Sequence, residues 1–134
     1  TFSTPLQGLS NVLLTPHIGG STEEAQENIG EDVSIKLYQY LERGVSNGSH
    51  TIPSLSLPPV DGAHRILHIH KNVPGVLGAI NTLLSKNKIN IVGQYLKTND
   101  EIGYVVLDVD SKLSKTAFEL LKEVKHTIRA RMLY

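Results

Sequence analysis

The chain has 134 residues, with 13 basic side chains balanced by 13 acidic ones, and no cysteine. That balance excludes a broad basic face for nucleic acid or an anionic membrane, and the missing thiols exclude a disulfide framework or a Cys-based zinc site. No run approaches the roughly 18 apolar residues of a membrane span and no cleavable signal is present, so composition predicts a cytoplasmic chain of one domain plus an appendage.

Residues Phe2 to Leu14 read as a loop that ends in a short apolar run, Val12-Leu13-Leu14, predicted to be a buried strand. Pro16 fixes its own φ and pushes Thr15 toward an extended conformation, while Gly19 and Gly20 permit a sharp turn. His17 is thereby held on a stiff turn, which suits a general base, although a surface loop has the same composition. Ser21 with Glu24 makes a capping-box pattern that predicts a helix start there. Ala25, Ile29, Val33, Leu37, Tyr40 and Leu41 recur at helical spacing, and Arg43 and Gly44 suit a helix end. One strand and one helix cannot bury such a stripe by themselves, so this segment is expected to pack on something else.

From Gly44 to His64 the chain is dominated by glycine, serine, asparagine and proline, which predicts a linker with extended pieces. Ile52, Leu55 and Leu57 allow parts of it to lie along a domain surface.

From Arg65 the periods alternate as β-α-β-β-α-β. The predicted strands are Arg65 to Lys71, Ile89 to Lys97, Ile102 to Asp110 and Thr127 to Leu133. Asn72 and Pro74 cap and open a first helix that carries Val76, Leu77, Ile80, Leu83 and Leu84 on one face. Leu113, Ala117, Leu120, Leu121 and Val124 form the stripe of a second. The order predicts an α+β, ferredoxin-like domain with two helices on one face of an antiparallel sheet. About 70 residues is a small core, which favours dimerisation. His70 and Asn72 share strand parity, and Gly75 lies in the first turn of the helix, whose free N–H groups attract a carboxylate. Asn72 also reads as a plain cap, and His68 and His70 as an exposed strand face. A His-x-His metal site lacks a third ligand of suitable spacing, so no metal is predicted.

Two resemblances sharpen this picture. Asn11-Val12-Leu13-Leu14-Thr15-Pro16-His17-Ile18-Gly19-Gly20-Ser21-Thr22 resembles the catalytic-histidine signature of the D-isomer-specific 2-hydroxyacid dehydrogenases, most of all the branch acting on D-3-phosphoglycerate at the opening of serine synthesis. The resemblance implies that His17 takes the hydroxyl proton while hydride passes to NAD, with Gly19 and Gly20 near the nicotinamide or at a hinge. Arg65 to Tyr134 resembles an ACT domain, a sensor of small molecules, most clearly in His68-Ile69-His70-Lys71-Asn72-Val73-Pro74-Gly75-Val76-Leu77. By resemblance to the serine-inhibited members of the D-3-phosphoglycerate branch, L-serine is the effector, held by His70 and Asn72 of one domain and Asn90 of a partner domain in a homo-oligomer. Gly62 resembles a family hinge glycine, but Ala63 stands where a second is usual.

The expected organisation is therefore residues 1–44 as a strand-loop-helix remnant of an α/β catalytic unit, 45–64 as linker and 65–134 as ACT domain. No Gly-x-Gly-x-x-Gly motif is present, nor the family's orienting glutamate and substrate-binding arginine, so such a piece is expected to be inactive alone. The alternative function is a freestanding amino-acid-binding or dimerisation module.

Overall fold

The computed structural model describes residues 3–134, so the loop expected from Phe2 begins outside the described residues. Its elements run α1 (Glu23–Arg43), β1 (Ala63–Lys71), α2 (Val76–Lys86), β2 (Ile91–Thr98), β3 (Ile102–Asp110), α3 (Ser114–Lys122) and β4 (Thr127–Leu133). They form two compact units that divide inside α1, between Ser34 and Ile35.

In the first unit the buried strand predicted at Val12–Leu14 does not form, and Leu13 is 89% exposed. An extended triplet is held as a strand only when a neighbour takes its N–H and C=O groups, and no other strand lies among the described residues of this unit. The helix starts one residue later than expected. Thr22 Oγ1, not Ser21, accepts from the Ala25 N–H at 3.1 Å. Glu24 thus falls one position short of closing a capping box. Ile29, Val33, Leu37 and Leu41 of the α1 stripe are exposed.

The second unit holds a four-stranded antiparallel sheet in the order β2-β3-β1-β4. One face packs under α2 and α3, where Ile66, Val105, Leu107 and Val109 meet Val76, Ile80, Leu84, Ala117, Leu121 and Val124. This is the ferredoxin-like arrangement that the periodicity predicts. Leu113 is the exception in its stripe: it lies in a 3-10 turn ahead of α3 and stays exposed.

The second strand begins at Ile91 instead of Ile89, because the end of α2 consumes the residues between. The Ile89 N–H donates to the Leu84 carbonyl and the Lys88 N–H to Ser85, with Lys88 in the left-handed region at φ 56°. Buried Ile89 is the apolar plug of this Schellman ending.

The opposite sheet face differs most from expectation. It is covered too, so the unit has three layers. Leu67, Tyr104 and Val106 are buried beneath Tyr40, Ile52, Leu55 and Leu57. Buried Ser46 folds the covering segment on itself, donating to the Pro53 carbonyl and accepting from the Leu55 N–H. Arg65 fastens it. Its guanidinium makes two bonds to Asp108, at 2.7 and 2.8 Å, and gives two further N–H groups to the carbonyls of Arg43 and Pro58. Gly44 ends α1 at φ 72°, and a Cβ there would collide with Leu67.

Two stability outcomes follow. Lys88→Gly removes a left-handed residue that carries a Cβ, and is expected to raise unfolding free energy by about 1 kcal/mol in urea titration. Arg65→Met leaves Asp108 buried and unpaired, and is expected to cost about 3–5 kcal/mol. A loss under about 1 kcal/mol by the same titration would mean that water reaches Asp108.

Candidate functional site

His17 lies in the first unit on an exposed bend, in an open cleft with Gln7, Leu14, Thr15 and Pro16. The Ile18 N–H donates to the Pro16 carbonyl and the Ser21 N–H to Ile18, so the chain turns at Gly19-Gly20. Neither glycine adopts a positive φ. A side chain added to either would meet open space or only ordinary contact.

The turn from β1 into α2 carries the second candidate group. His70 and Asn72 are not paired on one strand face as their parity predicts, because β1 ends at Lys71. Asn72 is exposed and committed to the β2–β3 turn. Its N–H donates to the Glu101 carbonyl at 2.8 Å and its Nδ2 to Asn99 at 2.7 Å. It does not cap α2. Gly75 holds that position at φ 93° with no side-chain cap, which leaves the first-turn N–H groups of the helix open. The left-handed Gly75 breaks the geometry that an asparagine cap would need.

His68 and His70 do not lie on an exposed strand face. They share parity with core residue Ile66, and their side chains are buried on the helix-covered side. The two rings stand 5.5 Å apart, centroid to centroid. The His70 ring lies over Gly103, where any Cβ would overlap it. His68 Nε2 is 2.8 Å from Thr127 Oγ1, and that hydroxyl sits 2.6 Å from the Val124 carbonyl. With its one proton given to the carbonyl, Thr127 accepts from His68, which assigns the Nε2–H tautomer. Nδ1 of each histidine is buried without a partner. Burial, reinforced by neighbouring His70, lowers the His68 pKa to about 4, and burial lowers that of His70 as well. Thr127 and Gly103 escape sequence reasoning because nothing local marks them. The parity of Ile66, by contrast, does signal that both histidines face inward.

Asn90 is exposed at the other end of α2, beside Asn81, Ser85 and Lys88. α2 has 11 residues, which at 1.5 Å per residue separates its two ends by about 16 Å. One chain therefore does not bring Asn90 to His70 and Asn72. Among the described residues no three His, Asp or Glu side chains are grouped to hold a metal, and no helix is long and apolar enough to cross a membrane.

Burial of His68 as a neutral ring gives a signed pH dependence. The unfolded chain binds the proton near pH 6.5 and the folded one near 4, so stability is complete above 6.5 and is lost as pH falls toward 4. Compared with His68→Gln, the native chain is expected to lose up to about 3 kcal/mol more across that window in urea titrations. Parallel profiles for the two proteins would refute the assignment.

Comparison with known proteins places these features in context. Residues 66–129 match the model of the AHAS small subunit-like ACT domain. The chain is 48% identical over 133 residues to D-3-phosphoglycerate dehydrogenase of Haemophilus influenzae, a match covering 99% of this chain and 32% of that protein. It is 47% identical over 135 residues to the Escherichia coli K12 enzyme, covering 99% and 33%. D-3-phosphoglycerate dehydrogenase 1 of Saccharomyces cerevisiae is 40% identical over 141 residues, covering 100% and 30%. The chain thus spans about a third of the length of these relatives. The regulatory subunit of aspartate kinase from Thermus thermophilus, in its ligand-free form, shares the fold at TM-score 0.50 and 15% identity over 59% of this chain and 57% of its own. Residues 66–129 are an ACT domain, and the chain is a homologue of the C-terminal third of the D-3-phosphoglycerate dehydrogenases.

Proposed function

We propose that the chain is the C-terminal part of an NAD-dependent, cytoplasmic D-3-phosphoglycerate dehydrogenase, with an ACT domain that takes L-serine as feedback inhibitor. The observation that carries this reading is that the match at 48% identity runs through the His17 segment and the ACT domain together. A freestanding sensor has no use for the first of these.

The residues present do not themselves fit NAD. Among the described residues the one sheet is antiparallel, without the parallel strand, glycine-rich turn and helix that cradle a dinucleotide. NAD and most of the D-3-phosphoglycerate site therefore belong to the longer enzyme. This chain supplies His17, whose exposed imidazole accepts the proton of the substrate hydroxyl.

For the effector, the uncapped N-terminus of α2 offers backbone donors to the serine carboxylate. Asn72 spends Nδ2 on Asn99, which leaves Oδ1 to accept from the ammonium. Neutral His70 completes this half of the site, and Asn90 comes from a second copy. The separation of the two ends of α2 supports that assignment and with it a homo-oligomer joined through ACT domains.

Calorimetric titration of this chain with L-serine is the direct test. Saturable heat is expected, with Asn72→Ala weakening affinity by roughly five- to 150-fold for one lost polar contact. Absence of heat and of thermal shift at millimolar serine would remove serine as the effector. In the full-length enzyme His17→Ala is expected to lower kcat by about 10² to 10⁴. Near-normal turnover from pH 6 to 9 would rule His17 out as the base.

A further inference from the structure

An asparagine amide can be attacked by the backbone nitrogen that follows it, and the approach is least hindered when the next residue has no Cβ. Asn47 is the one asparagine of this sequence that precedes a glycine. Both residues are exposed on a turn, with Gly48 in the left-handed region at φ 72°.

The surroundings of the pair add more than the dipeptide itself offers. Leu55 and Leu57 pack toward the sheet, so Ser54 and Ser56, of opposite parity on the same extended stretch, face outward and are exposed. Ser56 Oγ donates to Asn47 Oδ1 at 2.8 Å, and Ser54 Oγ accepts from the Gly48 N–H at 3.3 Å. The reacting nitrogen and the amide it attacks are therefore turned toward the same pair of hydroxyls. The Ser56 bond polarises the amide carbonyl and meets the oxygen on which negative charge develops. Lys36 Nζ stands beside the peptide, 3.3 Å from where a Cβ on Gly48 would lie, and a cation there favours a deprotonated amide nitrogen. Buried Ser46 holds the turn in this form. It donates from Oγ to the Pro53 carbonyl and accepts at its own carbonyl from the Ser49 N–H.

We infer that Asn47-Gly48 is a site of self-modification, at which the folded chain promotes its own deamidation. Hydroxide takes the proton from the Gly48 nitrogen, and the freed electron pair forms a bond to Asn47 Cγ. The tetrahedral carbon expels the side-chain nitrogen, which leaves as ammonia with a proton drawn from water, so the hydroxide is restored. A five-membered succinimide remains. Water adds to one of its two carbonyls and opens the ring, giving aspartate or isoaspartate at position 47. The isoaspartate form routes the main chain through Cβ and so lengthens the turn that Ser46 and Ser49 close. Either product places a carboxylate against Ser56.

The test incubates the chain at neutral pH and reads the amide-to-acid conversion of each asparagine by peptide mapping, with fragmentation that distinguishes isoaspartate. The reference is the same chain unfolded in guanidinium chloride, which keeps the sequence and removes the hydroxyls. The folded chain is expected to convert Asn47 about fivefold faster than the unfolded one, as one hydrogen bond to the reacting carbonyl supplies. Ser56→Ala, an exposed substitution, is expected to slow the folded chain by about the same factor and to leave the unfolded rate unchanged. A folded parent that converts Asn47 no faster than its unfolded form would overturn the inference, because the dipeptide alone would then account for the reaction. Equal rates for folded parent and folded Ser56→Ala would overturn it as well. Superimposable urea transitions of the two proteins show that the comparison is made on one fold.

Discussion

A buried charge has to be paired, and in this molecule that constraint organises the sheet. Arg65 and Asp108 face each other across β1 and β3, at 2% and 5% side-chain exposure. A one-residue slip of β1 would turn Arg65 into the helix-covered core and leave Asp108 alone. The pair therefore fixes register, and with it which face receives α2 and α3. The guanidinium has donors beyond those Asp108 uses, and they reach the carbonyls of Arg43 and Pro58. Pairing the charge and covering the second face are thus one event. Gly93 belongs to the same arrangement, since a Cβ there would stand 3.0 Å from Asp108 Oδ2, at the bulge where β2 bends along β3.

The histidines present the opposite problem, polar rings buried without counter-charges. Desolvation keeps His68 and His70 neutral, and each leaves Nδ1 without a partner. An unpartnered buried polar atom costs free energy that packing elsewhere has to offset. Thr127 limits the cost by bridging His68 to the Val124 carbonyl just beyond α3. A neutral His70 also changes how an amino acid is held. On the effector reading proposed above, its ring offers a hydrogen bond, not a formal charge, and the carboxylate depends on the open N–H groups of α2 for its electrostatic support.

The strand and helix order after Arg65 was legible in the sequence, because each element there buries one face and the apolar period records it. β3 matched Ile102 to Asp110, and β4 matched Thr127 to Leu133. What the period could not record was packing by segments that have no period. Ile52, Leu55 and Leu57 lie among prolines and serines, and their cover over Leu67 and Tyr104 depends on the distant Arg65 and Ser46 contacts. Local competition explains the smaller misses. Ile89 reads as strand, but the Schellman ending claims it, and Val12–Leu14 reads as strand but has no strand partner among the described residues. His70, Asn72 and Asn90 enter as candidates through the family resemblance, and their placement at opposite ends of α2 was not legible in the sequence.

That placement bears on how an ACT sheet acquires a ligand site at all. A small zwitterion spans far less than the roughly 16 Å between the ends of an 11-residue helix. One α2 therefore contributes one end to any single ligand. The sheet leaves β2 and β4 as its edges, and β2 exposes Val92 and Leu96 beside its unpaired backbone groups. Such an edge favours pairing with a second copy, and antiparallel pairing runs neighbouring strands in opposite directions, which sets the end of one α2 against the start of the other. On the reading proposed above, the edge strand and the split polar residues have a common origin. In that reading the dimer that hides the edge is the same dimer that completes the site, and assembly and effector binding draw on one free energy.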